Sequence, residues 1–419
     1  MLRRLQVPER SFWASAGSRR HASFRRSVGH SGFASMPATN TSSEFDSLVP
    51  PMIWGTKSSK GHDVVGSANL DWDNLGFEYI PTHGHMVFKW KDGKWDTGRY
   101  ARDPYIPVHI LANVFHYGQA IFEGFKAFHT RDGNVHTFVD NLCHERMSHG
   151  CRRFQMPEVP EEVWRTAIDE VVRQNAAFLP PYGSGGSLYM RPFMFGSGPK
   201  LGLGPSTEYT FTVFGNPVGS YYRTGAKNSL DGLVNEEYDR AAPRGSGDVK
   251  CAGNYAADLE SMMTAKKAGY PISLYLDARE QRYIEEFSTS NFVAITRAGE
   301  YITPDSPRSI LRSNTNRVLM ELAKDMGMPV QQRRIDFDAE VEQFAEVGAV
   351  GTAVVVTPIS SLKRGNRVWQ FEEPRMLQKL HDVVKAVQLG EVEDGHGWTR
   401  RVVLADSKPK AAHSIYPPL

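Results

Sequence analysis

GDVKCAGNYAADL, residues 247–259, sets one lysine among small residues with a tyrosine at the fifth position after it. A lysine amine with its ordinary pKa of about 10.4 is almost fully protonated at neutral pH. It becomes a covalent anchor only where that pKa is depressed or where an aldehyde keeps it condensed. Lys250 is the candidate anchor. Tyr255 offers a hydroxyl to a phenolic oxygen on a flat ring, and Asn254 adds a further polar group. Gly247 and Gly253 are expected to leave room for that ring beside the backbone. Without further context, a lysine in a glycine-containing loop is a solvated surface residue, so the rest of the chain has to decide.

Around this segment lie 419 residues with a formal net charge of +2. That length accommodates two cores, and the near-neutral balance gives no electrostatic case for nucleic acid as partner. No apolar run approaches the ~18 residues of a membrane span, so no membrane partner is expected. Cys143, Cys151 and Cys251 are odd in number and in no Cys-x-x-Cys spacing, which points to neither a disulfide framework nor a zinc site. His116, His136, His144 and His149 lack metal-ligand spacing, and no metal is expected. The N-terminus differs in kind. Arg3, Arg4, Arg10, Arg19, Arg20, Arg25 and Arg26 alternate with serines, and Glu9 is the only acid before Glu44. This is the composition of a mitochondrial transit peptide; a cytoplasmic protein started at Met36 is the alternative.

Along the body, residues 161–179 carry a helical apolar face of Val163, Trp164, Ala167, Ile168, Val171 and Val172, opened by Pro160 and closed by Pro180 and Pro181. Residues 209–214 and 272–276 are aromatic and β-branched, which predicts strands. Residues 215–228, rich in Gly, Pro, Ser and Asn, are the linker candidate. The pattern is mixed α/β (α+β) in two domains, with residues 48–214 before the linker, 229–419 after it, and residues 1–47 a transit peptide and disordered segment.

Tyr238-Asp239-Arg240-Ala241-Ala242-Pro243 together with the lysine segment closely resembles the branched-chain amino acid aminotransferases, pyridoxal 5'-phosphate (PLP) enzymes of fold type IV. The similarity continues in YGQAIFEGFKAF at 117–128, SLYMRPFMFG at 187–196, IEEFSTSNF at 284–292 and GEVEDGHGW at 390–398. It implies a smaller N-terminal and a larger C-terminal domain with PLP between them, and a homodimer whose sites borrow partner residues. It also implies transfer of an amino group between leucine, isoleucine or valine and 2-oxoglutarate, so the ligands are small amino acids and 2-oxo acids. D-amino acid aminotransferases and aminodeoxychorismate lyases share the lysine and the glutamate. Tyr189-Met190-Arg191 and the 390–398 block favour the branched-chain group over both, and the retention of Lys250, Tyr255, Glu286 and Arg146 together argues against an inactive cofactor-binding relative.

Residue by residue, the resemblance implies that Glu286 faces the pyridine nitrogen, in a Glu-Val-Gly-Thr/Ser-x-Asn motif whose Val-Gly pair is here Phe287-Ser288. Such a carboxylate keeps the ring nitrogen protonated, and with it the electron sink. Arg146 falls at the family's phosphate arginine. Asn314 and Thr315, ahead of a helix, and Thr352 of Gly351-Thr352-Ala353 are further cofactor contacts, while Arg312 is a departure from the family pattern. Phe122, Tyr189, Arg191, Thr289 and Ala353 are implied substrate contacts, with Tyr117, Leu201 and Leu203 reaching in from the partner subunit. Phe287 is expected to favour leucine over valine and isoleucine if its ring faces the pocket; otherwise it packs in the core.

Overall fold

The structure is a computed structural model that describes residues 64–219, 229–305 and 307–404. The arginine-rich N-terminus and residues 220–228 of the expected linker lie outside the described residues.

Two nine-stranded sheets organise the chain. The first is antiparallel throughout. From one edge its path runs Thr399–Arg401, Val135–Phe138, Phe125–His129, Ser187–Gly196, Glu208–Val218, His85–Lys91 and Lys94–Trp95, with Ala120–Phe122 added to Ser187–Gly196. Its two long central strands are buried almost along their whole length, which is why both are rich in aromatic and branched residues. The helix Glu161–Gln174 covers one side and buries Val163, Trp164, Ala167, Ile168, Val171 and Val172, the face its 3.6-residue period predicts. It ends five residues before the expected position 179. Asn175 closes it by donating its amide to the Val171 and Gly84 carbonyls at 2.8 and 3.1 Å, and a short 3-10 turn follows.

The second sheet is mixed, in the order Ile284–Phe287, Ile272–Leu276, Leu230–Val234, Val355–Arg364, Phe344–Gly351, Asn291–Thr296, Tyr301–Pro304 and Val330–Arg333. The helices Asn314–Asp325 and Met376–Gln388 pack Val318, Leu319, Leu377, Leu380 and Val384 over its face.

Two expected boundaries shift. Residues 215–218 continue the strand Glu208–Val218 instead of opening a linker, because Gly215, Asn216, Pro217 and Val218 all have partners in Ser187–Gly196. The strand Thr399–Arg401, from the expected C-terminal domain, returns to the edge of the first sheet beside Val135–Phe138. Composition flags turn-formers, but pairing across the chain decides whether they end a strand.

Candidate active site

The lysine segment is fastened before it reaches the site. Asn254 donates to the Ser246 and Val249 carbonyls at 2.8 and 3.0 Å, Cys251 bridges to Ile121, and the Lys250 carbonyl accepts from the Phe122 amide at 3.0 Å. The Lys250 amine is thereby set 2.8 Å from the Tyr255 hydroxyl and 4.8 Å from the centroid of the Phe122 ring. The glycines work differently from the expectation. A side chain at Gly247 would strike the backbone of Ser309, whereas Gly253 faces open space, so neither makes room for a ring. The glycine whose lack of a side chain keeps the cavity open is Gly124, against the Tyr189 hydroxyl.

Lys250 opens into a cavity of about 380 Å³ between the two sheets, within the range of small-molecule sites. The first sheet supplies Phe122, Tyr189 and Arg191; the second supplies Glu286, Thr289 and the turn at Thr352 and Ala353. Arg191 donates to the Tyr189 hydroxyl at 3.1 Å and lies 4.8 Å over the Phe122 ring, while its buried Nε has no partner among the described residues. A second cavity of about 490 Å³ behind residues 311–313 contains no lysine.

Glu286 is 2 % exposed. Burial pushes its carboxyl up to about 7, with Arg240, the Leu311 amide and Lys250 pulling the other way. Its oxygens lie 3.5 Å from Arg240 Nη2, 3.4 Å from the Leu311 amide and 3.3 Å from the Asn291 amide. Glu285, next along the strand, points to Ser309 on the opposite side, as alternation requires. Phe287 is fully buried and stacks on Phe292 with ring centroids 5.8 Å apart. The pocket-facing placement is therefore corrected, because the strand that aims Glu286 into the cavity aims its neighbour into the core.

Arg146, on the helix Asp140–Arg153, lines the cavity with its guanidinium held on three sides. Nε and Nη2 make a two-point pair with Glu123 at 2.6 Å each, and Nη1 donates to the Arg312 carbonyl at 2.9 Å. Burial opposes its charge, but Glu123 outweighs burial and holds the group above its ordinary range. Arg312 contributes that carbonyl and leaves its side chain at the surface.

Asn314 lines the cavity, whereas Thr315 does not. The helix starts at Asn314, and Ser313 is the cap, accepting from the Asn316 amide at 3.1 Å. The Asn314 side chain is turned to Cys143 Sγ at 3.3 Å, and Thr315 is buried off the cavity lining. With the Asn316 amide taken by Ser313, what this turn offers an anion is the backbone amides of Asn314 and Thr315. Tyr117, Leu201 and Leu203 do not line the cavity; they are 40, 77 and 83 % exposed, and the Tyr117 hydroxyl donates to the Leu201 carbonyl. Sequence reasoning missed Glu123, Gly124, Arg240 and Phe77 as site residues. The first three stand inside the quoted blocks; Phe77, edge-on to Tyr189 at 5.2 Å, carries no sequence signal.

These donors fit a flat phosphorylated aldehyde. An amine reaches the cavity, a phenol stands beside it, and a protonatable carboxyl faces it. An arginine and a helix N-terminus line its wall. Arg240, nine-tenths buried beside Glu286 and 5.8 Å from the Tyr255 ring, keeps Nε and Nη1 unpaired among the described residues. No group of His, Cys, Asp or Glu among the described residues could hold a metal ion.

Residues 120–362 match the family model described as amino-transferase class IV. The chain is 39% identical over 344 residues to a branched-chain-amino-acid aminotransferase of Haemophilus influenzae, covering 80% of this chain and 99% of that one. To the Helicobacter pylori protein of the same name it is 41% identical over 332 residues, covering 79% and 97%. The fold matches the branched-chain amino acid aminotransferase from Thermobaculum terrenum in its PLP-containing holo form, with TM-score 0.63 and 20% identity over 77% of this chain and 100% of that one. The chain belongs to the class IV aminotransferases, enzymes that use PLP. Within them it falls in the branched-chain amino acid aminotransferase family.

Proposed function

We propose that the enzyme moves an amino group between a branched-chain L-amino acid and 2-oxoglutarate. The observation that carries this is one cavity holding the Lys250 amine, an aromatic wall of Phe77, Phe122 and Tyr189, and Arg191 with an unpaired buried N–H. When bound, PLP supplies an aldehyde that condenses with amines and a ring that takes up the electrons left on the substrate's Cα. Lys250 Nζ takes the proton from Cα and returns it, as base and then acid, and Tyr255 at 2.8 Å orients that amine. Glu286 faces the cavity beside Arg240, and its ionised carboxylate would hold the proton on the ring nitrogen of the bound group. Arg146 and the first-turn amides after Ser313 hold the phosphate. The aromatic wall takes the aliphatic side chain, and Arg191 takes the γ-carboxylate of glutamate. Apolar contact separates substrates by only about 1 to 3 kcal/mol per methylene, so the three branched-chain amino acids are turned over with modest differences.

The enzyme acts as a homodimer on this reading. Its support is a contiguous exposed apolar surface, where Ile110, Phe115, Tyr117, Leu201 and Leu203 are 40 to 83 % exposed and the Lys200 amide bonds the Leu111 carbonyl. Residues 1 to about 35 direct it to the mitochondrion, on the strength of their arginine-rich, acid-poor composition. Tagged full-length protein should be mitochondrial and a version begun at Met36 cytosolic; equal cytosolic distribution of both contradicts the assignment.

The activity is tested with a panel of L- and D-amino acids and 2-oxoglutarate, following glutamate. Formation with L-leucine, L-isoleucine and L-valine is expected. Turnover of D-amino acids alone would overturn the reading.

A further inference from the structure

Lys126 stands on the strand Phe125–His129 directly opposite Tyr189 of Ser187–Gly196, so the two side chains share the sheet face that borders the cavity. It is 8 % exposed. Burying an ammonium costs several kcal/mol unless partners compensate, and the ordinary partner is a carboxylate. Here burial, joined by the charge of a second lysine, Lys385, brings the Lys126 amine down to about 7. The hydrogen bond that Lys126 makes among the described residues runs from Nζ to the Ala353 carbonyl at 2.7 Å, across 227 positions of sequence and from the first sheet to the second.

The turn it reaches is strained. Residues 351–354 join Phe344–Gly351 to Val355–Arg364, closed by the Val354 amide on the Gly351 carbonyl at 3.2 Å. Val355, at its exit, has φ of 62°, the left-handed region that a β-branched residue almost never adopts. Such backbone persists only where its surroundings over-determine it. Gly351, Thr352, Ala353 and Val354 all line the cavity, so the shape of this turn is part of the cavity wall.

We propose that Lys126 is a positioning residue that pins the Ala353 carbonyl and so holds the 351–354 turn in the shape that receives the substrate's α-carboxylate. The inference rests on the aminotransferase reading and adds to it the residue that sets the carboxylate subsite. Lys126 touches neither substrate nor cofactor; it acts through the turn.

The test uses full-length, PLP-loaded protein with Lys126→Met and with Lys126→Gln, which keeps an N–H donor and drops the charge. Amide exchange at residues 352–354 is followed by mass spectrometry. Binding of 4-methylpentanoate, which is leucine without its amine, is followed by calorimetry, and KM and kcat are measured with leucine. In the methionine variant, exchange at the turn should rise about tenfold, 4-methylpentanoate should bind about tenfold more weakly, and KM for leucine should rise by a similar factor, as loss of one charge-assisted hydrogen bond implies. Its kcat and visible absorbance should stay close to wild type, and glutamine should restore most of the protection and affinity. Unchanged turn exchange and unchanged 4-methylpentanoate affinity in Lys126→Met would overturn the proposal, as would a glutamine variant no better than methionine. Wild-type protein that neither binds 4-methylpentanoate nor turns over leucine would contradict the underlying function, an outcome seen without any variant.

Discussion

Glu285 and Glu286 are adjacent, both buried, and both pushed up to about 7 by desolvation, yet one faces Ser309 and the other the cavity. Their substitutions should therefore separate. Glu286→Gln removes the carboxylate that the reaction uses and should lower kcat on the order of a hundredfold or more, with PLP still retained. Glu285→Gln should leave kcat within a few-fold and instead change the pH dependence of stability. A carboxyl at about 7 when folded and near 4.5 when unfolded holds its proton more tightly in the fold, so the stability it contributes is complete below pH 4.5 and is lost as pH rises through 7. Glutamine never loses that proton. In chemical denaturation, Glu285→Gln should be more stable than wild type by about 1–3 kcal/mol at pH 8 and no more stable at pH 4.5. Intact turnover in Glu286→Gln with loss in Glu285→Gln would mean the wrong carboxylate has been assigned.

At the scale of elements, the helix Asp140–Arg153 brings Arg146 to the cavity wall, and Glu123, one residue past the strand Ala120–Phe122, fixes its aim. Removing one member of a buried pair leaves the other charge uncompensated, a loss of about 3–5 kcal/mol. Glu123→Gln keeps one acceptor, so its expected effect is smaller: a lower melting temperature and PLP affinity weakened by about tenfold, measured by equilibrium dialysis. Unchanged affinity would mean that Arg146 is held by the Arg312 carbonyl alone. This pair also marks the limit of what the sequence discloses. Lys250 and Tyr255 are five positions apart, and alternation along one strand separates Glu286 from Phe287, so local rules reach them. Arg146 and Glu123 meet across 23 positions, Lys126 and Ala353 across 227, and the strand Thr399–Arg401 pairs 263 positions from its neighbour. Such contacts leave no period in the chain. The start of the expected linker shifted for the same reason: glycine and proline at 215–217 report local preference, and the pairing with Ser187–Gly196 overrides it.

For the whole molecule, the central arrangement is a cavity between two sheets with a lysine in its lining, and a set of exposed apolar residues outside it. Leu203, at 83 % exposed, belongs to that surface and touches no part of the cavity. If the proposed dimer forms through this surface, Leu203→Asp should shift sedimentation toward monomer and lower activity with it, because a charge in an apolar contact has no compensation there. A fully active monomer would remove the dimer from the account. The most direct measurement is chemical: reduce the PLP-loaded protein with borohydride, digest it and map the covalently labelled peptide by mass. A single cofactor adduct is expected on Lys250, within residues 247–259, and none in Lys250→Ala. A label on Lys126 or any other lysine, or no label in fully loaded protein, would contradict it.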